Sequence, residues 1–266
     1  MNCRMFRSRT KLWNETHGLK NAIKSFVKRD YEEIHALSDV SFKVNEGEMV
    51  GYIGPNGAGK STTIKIMCGI LTPDSGTCEI NGLVPYKDRE KYVKNIGVVF
   101  GNRSSLWWDV PVEDSFELNK VIYNIPDDVY KKQKKILTDM LDIGSIIKKP
   151  TRTLSLGQRM RCEIAIAFLH KPQIVFLDEP TIGLDSVSKL AVRKFIKEIN
   201  KEYGTTIILT THDTGDIRAL AKRIILVGKG KILMDGSMKE LVDLAKKQDI
   251  SMDEAVAKLY KEYEIE

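Results

Sequence analysis

A glycine-rich segment, GPNGAGKSTT at residues 54–63, lies between an apolar stretch and a helical pattern. It matches the phosphate-binding pattern G-x-x-x-x-G-K-[ST], which occurs where a buried strand passes into a helix. Glycines at positions 54, 57 and 59 let backbone N–H groups approach an anion closely, and the new helix directs its positive end to the same place. The sequence therefore predicts a strand, a phosphate-binding loop and a helix in this order.

The residues of this loop have separate predicted roles. Lys60 offers a cation between the β- and γ-phosphates of a nucleotide, and Ser61 offers a hydroxyl to Mg²⁺. A glycine-rich turn with a solvated lysine also fits the bare pattern, but the strand before it and the helix after it favour a phosphate site. The predicted phosphate-binding residues are Gly54, Pro55, Asn56, Gly57, Ala58, Gly59, Lys60, Ser61 and Thr62.

Two adjacent acids end another apolar stretch, QIVFLDE, which reads as a buried strand. Ligands of parallel sheets bind at the carboxyl ends of the strands, so Asp178 and Glu179 are expected beside the phosphate loop. Adjacent residues of a strand point apart, which suits two roles. Asp178 would hold Mg²⁺, directly or through water, and Glu179 would act as general base on an attacking water. The alternative is a solvated pair of acids, and the phosphate loop argues against it.

Strand and helix patterns alternate along most of the chain. Strands are predicted at MVGYIG, IGVVFG and TTIILTTHD, a hairpin at RIILVGKGKILMDG, and helices at TTIKIMCGIL and SVSKLAVRKFIKEINKEY. This alternation predicts an α/β fold with a mostly parallel core sheet. From about residue 103 to residue 163 the strand patterns stop and the amphipathic stretch DDVYKKQKKILTDML appears, which indicates an inserted helical lobe.

Composition limits the classes of partner and compartment. The net charge of +6 permits an anionic ligand without demanding nucleic acid, and no nucleic-acid partner is predicted. The four cysteines are scattered and indicate reduced thiols in a cytoplasmic protein. No apolar run approaches the ~20 residues of a membrane span, and the basic N-terminus lacks the apolar core of a secretory signal. If the protein works at a membrane, another chain must cross it.

Residues 1–30 form a basic N-terminal extension with little regular pattern. The segment GLKNAIKSFVKR places Leu19, Ile23, Phe26 and Val27 on one helical face. A short helix packed on the domain is favoured over an amphipathic helix that binds an anionic lipid surface, because the apolar face is short. The stretch MNCRMFRSRT is a poor strand, so we expect a strand at this position to be missing or replaced.

Four further motifs follow a fixed order along the chain. They are Tyr31, five residues before the AL of HALSDVSF; LSLGQ at residues 154–158; TIGLD, ending at Asp185; and TTHD, which contains His212. In this order the motifs make residues 31–236 resemble the ATP-binding subunit of an ABC transporter. The sequence around these motifs resembles that of the branch of single-domain ATPases that power exporters with separately encoded membrane subunits. The remaining residues, 237–266, would form a helical tail.

The resemblance implies a P-loop NTPase fold with an antiparallel β subdomain and an inserted helical subdomain. It implies ATP and Mg²⁺ as cofactors, a head-to-tail dimer with a second copy or a homologous ATPase subunit, and integral membrane permease subunits. The chain would then act at the cytoplasmic face of the cell membrane. The residues that would contact nucleotide outside the loop are Tyr31 at the adenine, His212 at the γ-phosphate, Asn102 near the metal, and Ser155, Gly157, Gln158 and Asp185 at the ATP of the partner.

The function predicted on this basis is ATP hydrolysis that drives separate membrane subunits of an exporter. A soluble, non-transport ABC ATPase is one alternative, but such proteins usually carry two ATPase domains or a long coiled-coil insertion, and this chain has neither. A nucleotide-binding regulatory subunit with little turnover is the other. Glu179 and His212 argue against it, and Asn102 alone argues for it.

Two positions depart from the family pattern. Leu156 replaces the first glycine of the signature, whereas Ser155 and Gly157 are kept, so tolerance is expected. Asn102 stands where the family has glutamine; its amide is one methylene shorter and would need a closer loop or a bridging water.

Two adjacent tryptophans, Trp107 and Trp108, lie in SSLWWDVPVED at the start of the helical lobe. Neighbouring side chains diverge on strands and helices, so one core cannot easily hold both rings. In the family that this chain resembles, the ATPase meets its membrane partner here. We therefore expect at least one of the two rings to be partly exposed and to contact the permease.

Overall fold

The protein is described by a computed structural model over residues 2–13, 31–101 and 103–262, with side chains from residue 35 onward. Strands and helices alternate as the sequence predicts. The strands are β1 (Asn2–Trp13), β2 (Tyr31–Lys43), β3 (Met49–Ile53), β4 (Ser75–Glu79), β5 (Ile96–Phe100), β6 (Ile174–Asp178), β7 (Thr206–Thr211), β8 (Arg223–Gly228) and β9 (Lys231–Ser237). The helices are α1 (Lys60–Met67), α2 (Arg89–Val93), α3 (Val112–Ile122), α4 (Asp127–Met140), α5 (Leu156–Ala167), α6 (Ser186–Tyr203), α7 (Thr214–Leu220), α8 (Met238–Lys247) and α9 (Met252–Glu262).

A six-stranded sheet in the order β5-β6-β7-β3-β8-β9 forms the centre of the molecule. Its neighbouring strands are parallel except in the β8–β9 hairpin. Every residue of β3 is buried, because this strand lies between β7 and β8 with both faces covered. The α/β prediction with a mostly parallel core sheet is confirmed, and the loop after β3 leaves the carboxyl edge of this sheet.

A second, antiparallel sheet has the order β2-β1-β4. The expectation that a strand at residues 1–10 is missing or replaced is wrong, since β1 spans Asn2–Trp13 and pairs with β2 on one side and with β4 on the other. A strand that is paired along both edges satisfies its backbone through long-range contacts and does not need an alternating apolar pattern of its own. The predicted amphipathic segment GLKNAIKSFVKR lies outside the described residues.

Helices α3, α4 and α5 are inserted between β5 and β6 and form the predicted helical lobe. The buried face of α4 carries Tyr130, Gln133 and Leu137, as the period of DDVYKKQKKILTDML indicates. The predicted C-terminal boundary of the lobe, near residue 163, lies inside α5, so this helix runs on from the lobe towards the core sheet. The lobe and the sheet share one apolar cluster, in which Phe168 and Phe195 meet edge to face.

Helices α8 and α9 pack against β3 and β8 of the sheet. They bury Leu241, Ala245 and Ala255 against Ile53 and Ile224. Ser251 and Glu254 form a capping box at the start of α9, with Glu254 N 3.1 Å from the Ser251 hydroxyl. Among the residues that the structure describes, none of the helices is both long and apolar enough to cross a bilayer.

Candidate functional site

The phosphate loop connects β3 to α1 through two glycines in the left-handed region. Gly57 has a φ of +80° and Gly59 a φ of +98°. A Cβ on Gly59 would lie 2.6 Å from Leu37 Cδ2 and 2.7 Å from the carbonyl oxygen of Ala36, so only glycine fits there. Helix α1 starts at Lys60 with no acid in its first turn, which leaves its amide groups and positive end available to an anion.

Lys60 folds back over this loop. Its Nζ donates to the carbonyl oxygens of Gly54 at 2.6 Å and of Pro55 at 3.1 Å, and the side chain is buried. Burial lowers the pKa of Lys60, while the nearby carboxylates of Glu179 and Asp178 act in the opposite direction. The ammonium group is therefore held against the loop by hydrogen bonds rather than extended into solvent.

A cavity of about 360 Å³ opens over the loop. It is lined by His35, Ala36, Pro55, Asn56, Gly57, Gly59, Lys60, Ser61, Thr62 and Glu179. Ala58 lies beneath it, buried, and its carbonyl oxygen accepts from Gly230 N at 3.2 Å. Sequence reasoning missed His35 and Ala36, and their only signal is their place on β2, four and five residues after Tyr31.

The two predicted metal ligands come together at the edge of the sheet. The hydroxyl of Ser61 donates to Asp178 Oδ2 at 3.1 Å. Asp178 is the last residue of β6 and is buried, and its other oxygen accepts from the hydroxyl of Thr210 on the neighbouring strand β7. Thr210 was not singled out from the sequence; its place as the first residue of TTHD was the available signal.

Glu179 and His212 meet beside this pair. His212 Nδ1 lies 3.3 Å from Glu179 Oε1. The expectation that strand alternation separates Asp178 from Glu179 is wrong, because β6 ends at Asp178 and Glu179 has a φ of +55°. This left-handed conformation is held by its backbone N–H, which lies 3.0 Å from the Thr210 carbonyl oxygen and 3.1 Å from the Thr210 hydroxyl. The two carboxylates have different partners, Ser61 and Thr210 for Asp178 and His212 for Glu179.

The signature segment forms the start of α5. Ser155 is its N-cap, its hydroxyl accepts from Gln158 N at 3.2 Å, and Gln158 Oε1 accepts from Ser155 N at 3.0 Å. Asp185 is the N-cap of α6 and accepts from Ser188 N at 2.9 Å. A Cβ on Gly157 would lie 2.4 Å from Ser188 Oγ and 3.5 Å from Asp185 Oδ2, so α5 and α6 begin side by side.

The predicted site residues whose side chains the structure describes thus fall into two groups. Residues 54–57 and 59–62 of the loop, with Asp178, Glu179 and His212, gather at or beside the cavity. The other group, Ser155, Gly157, Gln158 and Asp185, does not line it. Tyr31 begins β2, but its side chain falls outside the described part of the chain, as does Asn102.

Both tryptophans are exposed, Trp107 to 59% and Trp108 to 51%. The loop that carries them is fixed from below: the buried carboxylate of Glu163 on α5 accepts from the Ser104 hydroxyl and, at 2.9 Å, from Ser105 N. Arg159 lies over the Trp108 ring at 5.7 Å from its centroid. The predicted exposure of at least one ring is confirmed.

The chain matches the family model described as "ABC transporter" over residues 37–182. It is 35% identical over 208 residues to the energy-coupling factor transporter ATP-binding protein EcfA of Methanocaldococcus jannaschii, a match that covers 77% of this chain and 74% of that protein.

Two solved structures have a similar fold. The dimeric ATP-binding cassette MJ0796, bound to ADP and Pi in a post-hydrolysis state, superposes with a TM-score of 0.74 at 25% identity, over 89% of this chain and 98% of that one. The protein cbiO1 from Clostridium perfringens, part of the ABC transporter complex cbiONQ, superposes with a TM-score of 0.73 at 27% identity, over 91% and 90% of the two chains.

Proposed function

Because the chain belongs to the ABC transporter family as an ATP-binding subunit, we propose that it hydrolyses ATP to drive membrane subunits carried on separate chains. The observation that supports this most is the convergence of Lys60, Ser61, Asp178, Glu179 and His212 at one edge of the sheet. They come from three different segments, and each has the chemistry that phosphoryl transfer to water requires.

The residues present fit ATP and Mg²⁺. Lys60, Gly57, Gly59 and the first turn of α1 supply positive charge and open backbone for phosphate oxygens. Ser61 and Asp178 offer a hydroxyl and a carboxylate, and Mg²⁺ is commonly held by one or two such groups together with phosphates and water. A bound Mg²⁺ would neutralise charge on the phosphates. Tyr31 would stack on the adenine, and Asn102 would approach the metal side of the site.

Glu179 is the proposed general base. Its carboxylate lines the cavity and is about one-fifth exposed, so it can reach a water there. His212 Nδ1 contacts that carboxylate at 3.3 Å, and its 59% exposed ring would turn to the γ-phosphate when ATP is bound. Catalysis would then consist mainly of positioning and charge stabilisation.

We propose that two copies, or one copy and a homologous ATPase subunit, close head to tail on ATP. Ser155, Gly157, Gln158 and Asp185 lie away from the cavity of their own chain and would face the nucleotide of the partner. Exposed apolar side chains surround them, as an interface requires: Leu156, Ile182, Val187 and Leu190. The similarity to the dimeric MJ0796 supports the same arrangement.

We propose that Trp107 and Trp108 receive the membrane partner, and that the chain works at the cytoplasmic face of the cell membrane. Two more exposed apolar residues, Val121 and Ile122, end α3 of the same lobe. Large exposed aromatics are favoured anchors in protein interfaces. Export as the direction rests on the resemblance of the sequence to exporter ATPases.

The substitution Glu179→Gln tests the function. It keeps the shape of the side chain and removes the base, so the variant should bind ATP, barely turn it over and accumulate as an ATP-bound dimer. Phosphate release and size-exclusion chromatography with ATP measure the two effects. Glu198→Gln, which alters an exposed ion pair on α6, is the matched control and should behave as the parent. Parental hydrolysis by the Glu179 variant would refute the assignment.

A further inference from the structure

Asp216 is the most completely buried carboxylate near the site, with none of its surface exposed. It lies on α7, just after the TTHD segment. One oxygen, Oδ1, accepts from Arg193 Nε at 2.6 Å. The other, Oδ2, accepts from the hydroxyl of Thr181 and, at 3.3 Å, from the hydroxyl of Thr211. A charge in such a place is stable only when it is fully paired, and this one is.

The two hydroxyls on Oδ2 belong to the two segments that carry the reacting groups. Thr181 lies two residues after Glu179, and Thr211 immediately precedes His212. Both threonines are buried, 2% exposed each. A single oxygen atom therefore ties the turn of the proposed base to the segment of the histidine.

The other oxygen connects this point to the surface proposed to face the partner. Arg193 is on α6, the helix that begins at Asp185 and exposes Val187 and Leu190. Arg193 Nη2 lies 2.5 Å from Asp216 Oδ1. A displacement of α6 would thus reach Thr181 and Thr211 through one buried carboxylate.

We propose that Asp216 is a positioning residue for hydrolysis, which holds Glu179 and His212 in register through Thr181 and Thr211 and links them to α6 through Arg193. This inference rests on the proposed ATP hydrolysis. Asp216 lies outside the phosphate cavity, so its role concerns the geometry of the base and not the affinity for nucleotide. Its loss should lower kcat and leave KM for ATP nearly unchanged.

A single substitution of Asp216 would remove the principal counter-charge of Arg193, whose side chain is only 20% exposed, and could destabilise the chain. The test is therefore the double variant Arg193→Met with Asp216→Leu, which replaces the ion pair by apolar side chains of similar size. We expect thermal unfolding near that of the parent, a kcat lower by about tenfold, and a KM for ATP within about twofold of the parental value.

Rescue by a conservative variant separates positioning from packing. Arg193→Met with Asp216→Asn restores an acceptor oxygen for the Thr181 and Thr211 hydroxyls, so its kcat should return to within about threefold of the parent. Lys189→Met is the matched control: it removes the neighbouring ion pair of α6, to Asp213 at 2.5 Å, and leaves Asp216 in place. Its kcat should remain parental.

The outcomes are distinct. If the Leu variant folds and hydrolyses ATP at the parental rate, or if the Asn variant is as slow as the Leu variant, Asp216 is not a positioning residue. Those results leave the proposed function intact as long as Glu179→Gln remains inactive. A parent chain that itself fails to hydrolyse ATP would instead refute the proposed function.

Discussion

The hydroxyl of Ser61 lies 3.1 Å from Asp178 Oδ2, although 117 residues separate the two in the chain. The first turn of α1 and the end of β6 thereby meet at one point of the sheet edge. The Thr210 hydroxyl fixes the other oxygen of Asp178, so the carboxylate cannot rotate freely. A hydroxyl and an oriented carboxylate side by side suit the proposed Mg²⁺ site.

Ser61→Ala tests this pair. Without the hydroxyl, the site loses one oxygen ligand while Asp178 keeps its bond to Thr210. The Mg²⁺ concentration needed for half-maximal ATP hydrolysis should rise by about tenfold, measured by titrating Mg²⁺ at fixed ATP. Ser145→Ala, at an exposed position of the helical lobe, should keep the parental Mg²⁺ requirement. An unchanged requirement in Ser61→Ala would show that this hydroxyl is not a ligand.

Lys60→Met should weaken ATP binding, because it removes the cation that the carbonyls of Gly54 and Pro55 hold at the loop. We expect a loss of affinity of about tenfold or more, read from equilibrium titration with a fluorescent ATP analogue. Lys65→Met, at the other end of α1, provides the control and should bind as the parent. If both variants bind alike, the phosphate-loop assignment is wrong.

The site could be predicted only as far as local sequence patterns reach. The loop and the acids at the end of β6 are each encoded within a few neighbouring residues, and the structure has them where the patterns indicate. Thr210 and Asp216 could not be found in this way, since their importance comes from contacts to residues 32 and 35 positions away. Strand β1 was missed for the same reason: its partners β2 and β4, and not its own pattern, make it a strand.

His170 should make stability fall at mildly acid pH. Its ring stacks on Tyr123 with centroids 3.8 Å apart, its Nε2 contacts the Ile96 carbonyl oxygen at 2.9 Å, and burial lowers its pKa to about 4. Between that value and the ordinary pKa of about 6.5, the unfolded chain binds the proton and the folded chain does not, so stability is lost as pH falls through this range. From pH 7 to pH 5 the loss attributable to His170 is about 2 kcal/mol.

The measurement is urea unfolding at both pH values. His170→Gln keeps a donor for the Ile96 carbonyl oxygen and cannot titrate. Between pH 7 and pH 5 its free energy of unfolding should therefore fall by about 2 kcal/mol less than that of the parent. Comparing each protein with itself cancels the constant cost of the substitution. Equal changes in the two proteins would contradict the prediction.

Trp107 and Trp108 should be quenched by acrylamide in the isolated chain and protected in a complex with its permease subunits. Trp13 is replaced by Phe in all samples so that the signal reports only on the pair. Trp107→Ala with Trp108→Ala should retain basal ATP hydrolysis and lose transport, because it removes exposed contact area and leaves the cavity unchanged. Quenching that persists unchanged in the complex, or normal transport by the alanine variant, would refute the docking proposal.

The cap of α5 has a consequence for how phosphate would bind at the proposed dimer interface. In the contact with Gln158 N the Ser155 oxygen is only an acceptor, so its own hydrogen is not used by the cap. A phosphate that arrives at this helix end can take that hydrogen while the cap stays intact. Binding there needs no unwinding of the first turn and no exchange of partners, only an approach. In the proposed dimer, this end of α5 would therefore need no rearrangement to receive a phosphate, and closure would require only that the two surfaces approach each other.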